Sequence, residues 1–216
     1  MSETISFFPD DVLARIRSRL TLDLPADAFE RPMTPRWSDY ALNVATAPIA
    51  PPPGTPAAVL VPIVARAEGA TLLLTQRQAR LRAHAGQIAF PGGRIDPDDR
   101  DPVAAALREA REEIALAADV VTPLGYLDPY QTGTGYRIAP VVALVRPPFE
   151  LALCEAEVAD AFEVPMSFLM RPENHQTIEA VRDGRRRMFY AMPYEGRNIW
   201  GATAGMLRNL YERLYL

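Results

Sequence analysis

The sequence predicts a layered α/β fold, a mixed β-sheet packed between helices. Three observations carry that expectation. Short runs rich in Val, Ile and Leu alternate with segments of helical period. Two apolar runs around a Glu68-Gly69 turn precede a well-capped helix, and more strand-like runs follow it, an order that suits a sandwich better than a bundle or a barrel. Apolar residues make up 49% and charged residues 23% of 216 residues, enough for a sizeable core in one domain.

Residues 10–20 read as a short amphipathic helix, with Val12, Ile16 and Leu20 at helical spacing. Residues 25–56 are crowded with proline, which excludes regular helix or sheet interior and predicts an extended arm. The expected organisation is therefore an N-terminal helix and arm over 1–56 and a main domain over 57–216. Residues 57–65 and 70–75 form a predicted hairpin. Residues 81–93 are punctuated by glycine and end in Phe90-Pro91-Gly92-Gly93, a tight turn. Asp101-Pro102 starts a helix, Asp as N-cap and Pro at the first helical position, that should run to about residue 116. Residues 120–127 and 138–145 read as strands joined by a loop over 128–137. Residues 158–170 read as helical, with Pro165 opening a new turn. Residues 177–181 and 188–192 are short strands flanking Asp183-Gly184, and 201–214 is a closing helix with Met206, Leu207, Leu210 and Leu214 on its apolar face.

The helix after Asp101 holds the chemistry. At about 100° per residue, Val103, Leu107, Ala110 and Ile114 fall in one stripe that must face a sheet. Glu109, Glu112 and Glu113 fall on a separate arc of about 100°. Three acids at these spacings repel by a few tenths of a kcal/mol per pair, and no lysine shares their arc. They also lie toward the helix C-terminal half, where the macrodipole does not favour negative charge. A solvated acidic face is the plain reading; a divalent cation would relieve both penalties, and Mg²⁺ prefers such oxygen donors together with substrate phosphates. The acidic run from Asp96 to Asp101 is not a calcium loop, because it lacks glycine at the sixth position and glutamate at the twelfth.

Charge and composition exclude some classes. A net charge of -4 does not attract nucleic acid or an anionic membrane. No stretch approaches the ~18 apolar residues of a membrane span, the N-terminus has no secretory pattern, and cytoplasm is the expected location. The single cysteine, Cys154, reads as a small core residue, and two histidines make no zinc site.

The order Gly93, Asp99, then Arg108-Glu109-Ala110-Arg111-Glu112-Glu113 resembles the Nudix box. The chain departs from that pattern in having Asp99 rather than Glu, one extra residue before Arg108, and Ala115 where glycine is usual. Upstream, Leu73-Leu74-Thr75-Gln76-Arg77, Arg82, Gly86 and Phe90-Pro91-Gly92-Gly93 resemble the signature of the coenzyme A pyrophosphatase branch, with Gln78 departing from the small residue usual there. The loop Thr134-Gly135-Tyr136 and the run from Ile199 to Ala204 are similar to that branch as well.

The resemblance implies a Nudix-type α/β/α sandwich and metal-dependent hydrolysis of a pyrophosphate bond, with coenzyme A or its derivatives as substrate. Another nucleoside diphosphate derivative, or ligand binding without catalysis, are the alternatives. It implies that Glu109, Glu112 and Glu113 bind Mg²⁺ or Mn²⁺, and that Arg108 orients a glutamate by ion pairing. Arg77 and Arg82 are candidates to grip phosphate, and Gly92 and Gly93 to let backbone approach it. The general base is one of the three glutamates or an acid such as Glu155 or Glu157, which otherwise read as surface charges. His84 is expected to cap its loop, and Arg185-Arg186-Arg187 to be a solvated hairpin. The partner is a small diphosphate, and the arm is long enough to reach a second subunit of a homodimer.

Overall fold

The computed structural model describes residues 6–30, 35–43, 54–81, 84–182 and 185–216. Strands β1 (Thr55–Val64) and β7 (Tyr136–Val145) run parallel at its centre, paired from Thr55↔Tyr136 to Val64↔Val145. From Ala57 to Val64 and from Ile138 to Val145 both are continuous apolar runs, because both of their faces are covered there. Along β1, Ala58, Leu60 and Val64 enter one core cluster while Val59, Val61 and Ile63 enter the other. That alternation follows directly from the two-residue period of a strand.

On β1's other side lie β2 (Thr71–Arg77), antiparallel with Ile63↔Leu72, and β4 (Gly92–Arg94), antiparallel with Ala58↔Gly93. The two-residue strand β3 (Ile88–Ala89) and β8 (Val158–Pro165) pair with β2. Strand β5 (Val121–Tyr126) and the short β6 (Tyr130–Gln131) pair with β7. Parallel and antiparallel ladders together make the sheet mixed, as expected.

Helix α2 (Pro102–Ile114) covers one face, burying Ala105, Ala106, Ala110 and Ile114. Three small alanines on that stripe leave the helix room to lie close to β1. The Asp101 carboxylate accepts the Ala104 N–H at 2.7 Å, the cap the sequence predicts. Ala115 ends the helix in the left-handed region at φ 55°, which is why glycine is common there. Helix α4 (Ala202–Tyr215) covers the opposite face with Met206, Leu207, Leu210 and Leu214. Helix α1 (Pro9–Arg19) joins the same cluster through Val12 and Ile16.

Two expectations change. Residues 158–165 form a strand, and only the four-residue α3 (Met166–Leu169) after Pro165 is helical. The edge of β2 from Thr71 to Arg77 provides ladder hydrogen bonds that outweigh the local helical spacing. The two late strands are also longer than predicted: β9 (Gln176–Arg182) and β10 (Arg185–Tyr194) form a three-stranded antiparallel sheet with β11 (Arg197–Trp200). Their buried Met192 and Ile199 dock on the α4 cluster. Of the proline-rich arm, residues 31–34 and 44–53 lie outside the described residues, while Ser38 makes a parallel bridge to Gln131. Among the described residues no helix is long and apolar enough to cross a membrane.

Candidate active site

Helix α2 lies against β4, and this places the glutamates. Glu113 is 4% exposed, not the solvated acid that helical spacing alone would allow. One carboxylate oxygen accepts the Gly92 N–H at 3.2 Å; the other is 3.6 Å from the Arg77 guanidinium. Burial pushes the Glu113 carboxyl up to about 7, with the charges of Glu109 and Glu157 adding to it, while Gly92 and Arg77 oppose the shift. Burial also raises Glu109, against the stabilising contact of Arg108. The Glu109 carboxylate rests on the Cα of Gly93, where an added Cβ would lie 2.4 Å from one of its oxygens. Glu112 stands apart, its side chain 59% exposed.

Arg108 holds the acidic face together. It donates to both oxygens of Asp99 at 3.1 and 2.9 Å, to Glu109 at 2.9 Å, to Glu112 at 3.2 Å and to the Arg94 carbonyl at 3.0 Å. The ion pairing expected of Arg108 is therefore formed. Asp99, which the sequence aligned only across an extra residue, is one arm of a two-point clamp, and Arg108 holds its carboxyl below the usual range.

Glu113 opens onto a cleft of about 310 Å³. Arg77, Gly92 and Gly93 line it, as does Arg94; Arg82 lies outside the described residues. The glycines owe their identity to protein neighbours. A Cβ on Gly92 would meet the Ala58 carbonyl at 2.4 Å, and Gly93 carries the Glu109 carboxylate. Among the described residues the buried Nε of Arg77 has no hydrogen-bond partner. Phe189, Trp200 and Met206, from β10, β11 and α4, also line the cleft. Helix α4 begins there at Gly201–Thr203, directing the positive end of its dipole toward the cleft. His84, at φ 57°, shares a hydrogen bond of 2.9 Å with Gln87 and holds its loop, as expected.

Several lining residues were not singled out in the sequence. Asp39, from the arm, accepts the Gly133 N–H at 2.7 Å and the Tyr130 hydroxyl at 3.0 Å, and carries no local signal. Phe189 reads simply as part of a strand. Glu157 is exposed, yet its charge reaches both Glu109 and Glu113; the register Arg77↔Val158 brings it there. Cys154 is half-buried, and its N–H donates to the Glu113 carbonyl at 2.8 Å.

Among the described residues, no three carboxylates, imidazoles or thiols converge tightly enough to form a cage for a metal by themselves. The donors that are present still suit a hard cation. They are all oxygen, the buried Glu113 and the half-buried Glu109 are both raised by desolvation, and Glu109 sits in a cradle that only glycine permits. Mg²⁺ in particular keeps waters and draws ligands from substrate phosphate rather than requiring an all-protein cage.

An α/β/α sandwich thus sets an acidic helix beside a cleft lined by two arginines, two carboxylates and several apolar side chains. Residues 54–183 match the NUDIX domain. The uncharacterized Nudix hydrolase NudL of Citrobacter koseri is 45% identical over 154 residues, covering 71% of this chain and 80% of that protein. NudL of Yersinia pestis is 43% identical over 158 residues, covering 73% and 79%. The crystal structure of RenU, a Nudix hydrolase from M. Smegmatis, superimposes with a TM-score of 0.50 over 72% of this chain and 83% of that one; at 21% identity it speaks for the fold alone. The chain belongs to the Nudix family and is a pyrophosphohydrolase. Nudix hydrolases generally use divalent metal ions and act on small-molecule diphosphates.

Proposed function

We propose that this enzyme hydrolyses the pyrophosphate bond of coenzyme A or its derivatives, giving 4′-phosphopantetheine or its acyl form and adenosine 3′,5′-bisphosphate. The observation that carries the reading is the juxtaposition of buried Glu113 with Arg77 in a cleft that Phe189, Trp200 and Met206 also line. A diphosphate suits the charged groups, and a long, weakly polar arm such as pantetheine suits the apolar lining. The upstream signature around Arg77, which resembles the coenzyme A branch, supports the same substrate.

In this reading Glu109, Glu112 and Glu113 hold Mg²⁺ or Mn²⁺, which would polarise the diphosphate and acidify the attacking water. Arg108 keeps Glu109 in place through its own clamp on Asp99 and draws Glu112 toward the same face. Arg77 and the α4 N-terminus attract the phosphates. Of the two acids outside the helix considered as base, Glu157 is the one whose charge reaches Glu109 and Glu113.

The test is a metal-dependent hydrolysis screen with products identified by mass spectrometry. Coenzyme A, acyl-coenzyme A, dinucleotides and nucleoside triphosphates are compared by kcat/KM. Release of 4′-phosphopantetheine with the highest efficiency is expected. A nucleotide preferred by orders of magnitude would overturn the substrate assignment and leave the enzyme class standing.

A further inference from the structure

Resting on the coenzyme A reading above, we propose that Arg94, braced by Tyr136, is a specificity residue that receives a phosphate monoester on the substrate, separate from the scissile diphosphate. The motif Thr134-Gly135-Tyr136 has no role in the chemistry described so far. Its tyrosine reaches across from β7 to β4, where the Arg94 guanidinium donates to the Tyr136 hydroxyl at 3.3 Å and lies 5.8 Å from the centre of its ring. Both residues line the cleft.

The other arginines of this region have their own roles: Arg108 is divided among Asp99, Glu109 and Glu112, and Arg77, which faces Glu113, is assigned above to the scissile diphosphate. Among the described residues no carboxylate forms an ion pair with the exposed Arg94, so most of its N–H donors stay available to the cleft. Its backbone is also fixed: the Arg94 carbonyl accepts from Arg108 at 3.0 Å, and the residue is paired with Ala57 in the sheet. An arginine with a fixed base, a braced head and free donors is suited to two-point contact with a phosphate. Coenzyme A carries one such group outside its diphosphate, the 3′-phosphate of its ribose.

The experiment measures kcat and KM of the full chain with Mg²⁺ on coenzyme A and on 3′-dephospho-coenzyme A, for wild type, Arg94→Ala and Tyr136→Phe. Wild type is expected to favour coenzyme A by about tenfold or more, the scale of one charge-assisted contact. Arg94→Ala should lose that factor on coenzyme A, mainly through KM, and change far less on the dephospho substrate. Tyr136→Phe keeps the ring and removes the acceptor, and should lose part of the same preference. An equal loss on both substrates, or no loss on either, overturns the assignment. Calorimetric binding of adenosine 3′,5′-bisphosphate against adenosine 5′-monophosphate reads the same contact without turnover. Equal affinities of wild type for these two ligands also overturn it. If wild type keeps the bisphosphate preference and Arg94→Ala loses it while neither coenzyme A species is hydrolysed, the substrate reading fails and the role of Arg94 stands.

Discussion

Two adjacent glycines should respond in opposite ways to the same added methyl group. At Gly93 the new Cβ would lie 2.4 Å from one Glu109 oxygen, 2.5 Å from its Cδ and 2.7 Å from the other oxygen. Every atom in the way is the end of a flexible side chain, so the carboxylate retreats by about 1 Å and the fold survives. A displacement of that size in a catalytic constellation can cost about 100-fold. Gly93→Ala should therefore lower kcat/KM by about 10- to 100-fold while Tm changes by no more than about 2 °C. At Gly92 the backbone sits at φ 155°, and the Cβ would strike the Ala58 carbonyl at 2.4 Å and the Val59 Cα at 2.6 Å. Those atoms belong to central strand β1 and cannot give way. Gly92→Ala should cost about 3–5 kcal/mol, a fall in Tm of roughly 10 °C. Thermal unfolding by circular dichroism and metal-dependent turnover on the same samples check both. Wild-type kcat/KM in Gly93→Ala would show that Glu109 does not serve the reaction, and equal Tm losses in the two variants would refute the spatial reasoning.

Glu113 has a folded-state pKa of about 7, above its unfolded value, so the folded protein binds the extra proton between about pH 4.5 and 7 and stability falls as pH rises through that window. In EDTA, Glu113→Gln should be more stable than wild type at pH 8 by up to about 3 kcal/mol and equal to it near pH 5, while Mg²⁺ should raise the Tm of wild type only. Arg108→Lys keeps the charge and loses the two-point hold on Asp99, and should lower kcat/KM by about tenfold or more. Because Asp99 has a lowered pKa, its stabilising contribution is present above the ordinary aspartate pKa and is lost as pH falls through the folded value; the variant's Tm should therefore depend less on pH below about 4. Ala115→Gly relieves the left-handed cap and should raise Tm by about 2 °C, measured by calorimetry. Asp39→Ala removes the acceptor that ties the arm to Gly133 and Tyr130, and should raise KM about fivefold with kcat nearly unchanged; an unchanged KM would show that the cleft loop does not need the arm.

Local patterns made much of the framework legible. The hairpin of β1 and β2 was visible because two apolar runs flank Glu68-Gly69, and α2 because Asp101-Pro102 is a strong start. Strand β8 was not, since its apolar residues suit either period and only the free edge of β2 decides between them. The acids show the same division. Spacing placed Glu109, Glu112 and Glu113 on one arc, yet their environments differ, one buried under Gly92, one resting on Gly93 and one exposed. Helical periodicity reports direction around an axis, and the depth of each position depends on what lies opposite.

The sequence by itself determined the α/β class, the family resemblance and the acidic helix, because each is written in contacts only a few residues apart. The tertiary structure alone decided that Asp99 anchors Arg108, that Asp39 of the arm joins the cleft and that Tyr136 meets Arg94. These pairs lie 9, 94 and 42 residues apart along the chain, counting Asp39 to Gly133 for the second. No local period encodes such meetings. They exist because burying both faces of one mixed sheet brings β4, the start of β7 and the arm together near one end of the central strands.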